Sequence, residues 1–187
     1  MMTMGEIAAK LQVTRWLAEE RATALTESVI LFPIMISLLM GCYDLGQGIS
    51  VNQKTIGASQ IIADLTARYR SVDMGMMNNI IRAGELAVEP YSTMPFGYDI
   101  VSIEFDEDGA PVVLWRITQN MDENDEAVQS TQGLGVEGEG VMVVTTSYNF
   151  TPYFTNFVVD EINMNEVAFL RGRRSATVTC ADCPSGG

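Results

Sequence analysis

From Ser28 to Tyr43 the chain carries no formal charge, reading Ser-Val-Ile-Leu-Phe-Pro-Ile-Met-Ile-Ser-Leu-Leu-Met-Gly-Cys-Tyr. Its apolar residues occupy every face of a helix rather than a single stripe, which favours a segment surrounded by lipid over one packed on a core. Extended from Thr23 to Leu45, the helix is roughly 33 Å long at about 1.5 Å per residue, enough for a hydrocarbon core of about 30 Å. No small-residue cleavage site follows, because the chain continues Asp44-Leu-Gly-Gln-Gly-Ile-Ser. The pattern therefore predicts an anchor over residues 23–45 and not a removable leader. Lys10, Arg15 and Arg21 precede this span and Lys54 follows it closely. That bias predicts a cytoplasmic arm over residues 1–22 and an exported side from residue 46 onward. In the arm, Ile7, Leu11, Val13, Trp16 and Leu17 recur every three to four residues, a spacing suited to lying along the inner leaflet.

Beyond the span, Ala58, Ile61, Ile62, Leu65, Tyr69, Val72, Met76 and Ile80 keep helical spacing, so a helical stem is predicted over 46–89. Asp73 to Gly75 is a point of interruption, and Glu89-Pro90 ends the helical region. After Pro95 the period changes to two. Tyr98 to Phe105 and Pro111 to Thr118, joined at Asp108-Gly109, predict a β-hairpin. Residues 120–140, acidic and glycine-rich, read as a loop. Val141 to Phe150 reads as a third strand, and Val167 to Arg171 with Ala176 to Cys180 as one or two more. The predicted fold class is α+β, a long N-terminal transmembrane and stem helix followed by a small antiparallel sheet domain over 90–187.

Composition narrows the chemistry. The chain has 187 residues, a net charge of −13, eleven scattered basic residues and no histidine. Without a basic footprint, nucleic acid is not an expected partner. Without histidine, the commonest general base and zinc ligand are missing, and no P-loop, dinucleotide fingerprint or nucleophile elbow is found. No catalytic, cofactor-binding or metal site is predicted, and no cofactor is called for. The acidic runs around Glu104 to Asp108 and Asp122 to Glu126 lack the spacing of a calcium loop and read as solvated turns. Met74, Met76 and Met77 read as core packing, and Cys42 as a small apolar residue of the span. Cys180 and Cys183, in a Cys-Ala-Asp-Cys run, lack the further ligands zinc needs. A small disulfide in an oxidising compartment is the expectation.

Two residues of the span stand out. Pro33 removes a helical hydrogen bond and predicts a bend unless neighbouring groups compensate. Glu27 places a carboxylate about one turn inside the helix, at a cost of order 2–3 kcal/mol near the bilayer centre and less toward its edge. Either it reaches back to the headgroups or it meets a partner within the membrane.

The stretch Arg21-Ala-Thr-Ala-Leu-Thr-Glu27-Ser-Val-Ile-Leu-Phe-Pro33, continuing to Gly41 and Asp44, resembles the N-terminal signature of TadE-like proteins, the minor pilins of tight-adherence (Flp-type) pili. Arg171-Gly-Arg-Arg-Ser-Ala-Thr-Val-Thr-Cys resembles the way such chains end. The resemblance implies a pilin-like fold and a non-enzymatic structural component of a tight-adherence pilus or related secretion system. It implies that Glu27 neutralises the N-terminal amine of a neighbouring subunit, and that a prepilin peptidase would cut between Ala22 and Thr23. Ala22 stands where that motif carries glycine, and Ser28 where it commonly carries an aromatic residue. The implied partners are other pilin-like subunits and pilus-assembly membrane proteins. The implied location is the bacterial inner membrane, single-pass, with the C-terminal domain periplasmic or carried into an extracellular fibre. Two other classes also fit the residues: an anchored periplasmic binding module with an acidic face, and a thiol oxidoreductase using Cys180 and Cys183.

Overall fold

The computed structural model describes residues 4–185, with side chains from Thr23 onward. The chain divides into two compact units, residues 1–45 and 46–187. Its elements are α1 (Met4–Ala67), β1 (Ser71–Val72), α2 (Met74–Val88), β2 (Phe96–Phe105), β3 (Pro111–Gln119), α3 (Asp125–Gln129), β4 (Gly140–Phe150), β5 (Ile162–Arg171) and β6 (Thr179–Cys180). The architecture is mixed α+β, with a long apolar N-terminal helix and a small antiparallel sheet. The side chains of the N-terminal arm, with its predicted Ile7 to Leu17 stripe, lie outside the described residues.

In the first unit, Pro33 sits inside α1 without ending it. The hydroxyls of Thr26, Ser28 and Ser37 donate to the carbonyls of Thr23, Ala24 and Ile34 at 2.7–2.9 Å. These three hydroxyls are thereby satisfied by the helix's own backbone, as a low-dielectric setting requires. Among the described residues, one helix is long and apolar enough to cross a membrane, and none of its apolar window is buried.

The second unit is built on a four-stranded antiparallel sheet of order β3-β2-β4-β5. Side chains alternate across each strand, and in β2 and β4 both faces are covered. Phe96, Tyr98 and Ile100 of β2, with Met142 and Val144 of β4, join Val51, Ala58 and Ile62 of α1 and Met77, Ile80 and Ile81 of α2. On the opposite face Val101, Ile103 and Phe105 join Val141 and Val143 beneath Ala127 and Val128 of α3. Each fully buried side chain of this size contributes roughly 1.5–3 kcal/mol.

Two expectations are corrected and a third is refined. The interruption expected at Asp73 to Gly75 begins earlier: α1 ends at Ala67, β1 pairs in parallel with β6, and α2 begins at Met74 and ends at Val88, just before Glu89-Pro90. Tyr69 and Val72 share the helical spacing, but Ala67 O accepts from Arg173 N (2.8 Å) and the Asp73 carboxylate caps α2 by accepting from Met76 N (2.7 Å). Residues 120–140 are not purely loop: Asn124 accepts from Ala127 N and starts α3, which carries Asp125 and Glu126 in its first turn. Glycine is needed there because a Cβ at Gly135 would collide with the Phe105 ring, while Gly133 and Gly138 adopt positive φ. The strand expected at 176–180 shortens to Thr179–Cys180, because the Val178 carbonyl turns to accept from Trp115 Nε1 (2.7 Å) and Ser102 Oγ (2.8 Å).

Candidate functional site

The predicted site residues fall into two groups that belong to different units. Thr23, Glu27 and Pro33 lie on α1, and the Ala22 side chain is outside the described residues. Glu27 is exposed, and among the described residues its carboxylate has no partner. Around it Leu25, Val29, Ile30, Leu31, Phe32, Ile34 and Met35 are exposed as well. The arrangement is a single acid on an otherwise apolar helical surface. Such a carboxylate is stabilised in lipid by a cation or hydrogen-bond donor brought by a neighbouring helix.

Cys180 and Cys183 form a disulfide near the C-terminus. Asp182 between them accepts from the first amide of α2, Met74 N, at 2.8 Å, and Ala181 N donates to Val72 O at 3.2 Å. The short disulfide loop thus holds a second carboxylate at the N-terminus of α2, beside Asp73, where the helix dipole favours negative charge. Although the two sulfurs and an Asp182 oxygen lie within 4.8 Å of one another, the sulfurs are bonded to each other and Asp182 is engaged by the helix. The acidic hairpin tip is likewise a turn device, Asp106 Oδ1 accepting from Asp108 N (3.0 Å) and Ala110 N (2.8 Å).

The most concentrated polar chemistry was not singled out by the sequence. Asp99 of β2 is 1% exposed and accepts from Arg116 Nε (2.9 Å), Arg116 Nη2 (2.7 Å), Thr118 Oγ1 (2.8 Å) and Asn124 N (2.9 Å). Arg116 Nη1 reaches the exposed carboxylates of Asp125 (2.6 Å) and Glu123 (3.0 Å). Burial pushes the Asp99 carboxyl up, but the hydrogen bonds from Arg116, the Asn124 amide and Thr118 outweigh it and hold the group below the ordinary 3.8. The Asp99 carboxylate, with burial opposing, raises the Arg116 guanidinium. Both groups stay charged across the physiological range, so this is a clamp that fixes β2, β3 and the start of α3, without the half-titrated group a general base requires. A signal was present in the sequence: the first strand of the hairpin carries Asp99 among apolar neighbours, and the returning strand carries a single basic residue, Arg116.

No family model matches this chain, and neither a curated protein nor a solved structure is significantly similar to it.

Proposed function

We propose that this chain is a non-enzymatic, TadE-like minor pilin or pilus-assembly protein of a tight-adherence pilus. On this reading it is a single-pass protein of the bacterial inner membrane with a cytoplasmic N-terminus and a periplasmic C-terminal domain. Its helix packs laterally with other pilin-like subunits and assembly proteins, and the sheet domain caps or primes the fibre. The observation that carries the reading is Glu27, an exposed acid on an apolar helix surface. A carboxylate there costs free energy in lipid unless a neighbour supplies positive charge, and a lateral partner with a free terminal amine meets that requirement.

The test is Glu27→Gln in the producing cell, scored for surface fibres and, separately, for membrane insertion by protease accessibility of the exported domain. Loss of fibres with unchanged insertion is expected; normal fibres would refute the role. Intact mass of the protein from membranes and from sheared fibres reports on the Ala22–Thr23 bond, a species beginning at Thr23 being the processed form.

A further inference from the structure

Two loops at one end of the sheet expose large apolar side chains. Between β4 and β5, residues 151–161 present Tyr153, Phe154, Phe157, Val158 and Val159, with Phe157 at 83% and Val158 at 71% exposure. The amides of Val158 and Val159 both donate to Thr155 O at 2.9 Å, closing the segment on itself. Beside it Met94 is 87% exposed, and its loop is tied to the same strand end by Asn149 N donating to Pro95 O (3.2 Å) and the Tyr148 hydroxyl donating to Ser92 O (3.0 Å).

This end of the sheet sits against the start of the helical stretch within the same unit. Phe150 and Met164, which flank the 151–161 loop, are the nearest neighbours of Gly48, where an added Cβ would lie 3.5 Å from the Phe150 ring and 3.6 Å from Met164 Cε. The Tyr91 hydroxyl donates to Gln47 Oε1 at 2.9 Å. At its other end, Ala67, the helix meets Arg173 just past β5. Gly48 lies three residues beyond Leu45, the end of the predicted span. That separation is about 4.5 Å along a helix axis, and roughly 10 Å at the limit of chain reach. Covalent connectivity alone therefore limits how far the base of both loops can lie from the end of the span.

An exposed group of Phe, Tyr, Val and Met side chains within such reach of a membrane span matches the chemistry of the bilayer interface, where aromatic residues bury their rings and keep polar tips wet. In water alone such a patch is unfavourable and marks an interaction site. We infer that the 151–161 loop, together with Met94, docks into the headgroup layer of the membrane that α1 spans, inserting to a depth of about 5–10 Å. Asp160 and Glu161, exposed at the return to β5, limit the insertion, because carboxylates are costly in hydrocarbon. The inference rests on α1 being a membrane span and is independent of the pilus reading.

The test uses the full chain carrying Cys42→Ser, with the Cys180–Cys183 pair left intact, reconstituted in phosphatidylcholine vesicles so that headgroup charge does not oppose the net −13. Single cysteines at Phe157→Cys, Val136→Cys and Leu38→Cys carry a polarity-sensitive fluorophore, and spin-labelled lipids quench at headgroup or mid-chain depth. The expected result is blue-shifted emission at 157, mostly lost to the headgroup quencher, with water-like, unquenched emission at 136 and mid-chain quenching at 38. Water-like emission at 157 with 38 quenched would overturn the docking while leaving the span intact. Absence of quenching at 38 would remove the span on which the inference rests. Blue-shifted emission at 157 that lipid quenchers do not touch, and that reverts when the protein is diluted in excess lipid, would assign the loop to a second copy of the chain and also overturn the proposal.

Discussion

Replacing Asp99 by Ala removes the carboxylate that accepts from Arg116 Nε, Arg116 Nη2, Thr118 Oγ1 and Asn124 N. Arg116, 9% exposed, keeps Asp125 and Glu123 on its remaining nitrogen, but those carboxylates are 71% and 62% exposed and lie at the solvent edge. Breaking a buried pair costs about 3–5 kcal/mol when the partner is left without compensation. The surviving edge partners place the expected loss at the lower end, about 3 kcal/mol, or a melting-temperature drop of roughly 6–12 °C for a domain of this size. The assay is thermal or urea unfolding of the full chain in detergent, followed by the fluorescence of Trp115, which is 3% exposed, in a Trp16→Phe background. A loss below about 1 kcal/mol, the range of a surface pair, would refute the clamp. The partner substitution Arg116→Met supplies a sign test. In the parent, the depressed Asp99 pKa means that its contribution is fully present above the ordinary value of 3.8 and is lost as the pH falls through the lower folded value. With Arg116 gone, only the Asn124 amide and the Thr118 hydroxyl still oppose burial, so the Asp99 pKa should rise relative to the parent and the variant should lose less stability than the parent as the pH falls through the acid range. The same slope in both proteins would show that Arg116 does not set the Asp99 charge.

Two further perturbations follow from the packing. Gly57→Ala, at a helix position with no atom within 4 Å of the added Cβ, should stabilise by up to about 1 kcal/mol, whereas Gly84→Ala drives its Cβ to 2.5 Å from Cδ1 of the fully buried Ile62. The second should therefore cost about 1–3 kcal/mol despite the better helix former, and equal melting shifts for the two would contradict the packing of α2 on α1. Replacing Cys180 and Cys183 together by Ser opens a loop of four residues, for which chain entropy gives at most about 2 kcal/mol. The expected result is a modest melting shift with faster hydrogen exchange at the Met74 amide, the donor to Asp182; unchanged exchange there would separate the disulfide from the cap.

What the sequence disclosed, and what it concealed, follows from the range of the interactions involved. The apolar run and the change from helical to two-residue period report contacts between near neighbours, so the long helix, the Tyr98 to Thr118 hairpin and the Val141 to Phe150 strand were all legible before any coordinates. Both the break between Ala67 and Met74 and the cover over the second sheet face depend on distant partners: Arg173 for the Ala67 carbonyl, Asp182 for the Met74 amide, Phe105 for the glycines of 133–138. A run of glycine and acid looks identical whether it floats in solvent or is drawn over a sheet, and only the burial of Ala127 and Val128 distinguishes the two. Arg116 makes the same point in electrostatic form: one basic residue among many acids reads as a surface charge until its strand register sets it beside Asp99. That pairing helps to fix where the acidic segment settles, together with Asn124 Nδ2 donating to Thr145 Oγ1 and Arg171 meeting Glu139 and the Leu134 carbonyl. The acidity of residues 122–126 is thus, in part, a docking feature, since Glu123 and Asp125 meet Arg116 at the point where α3 begins.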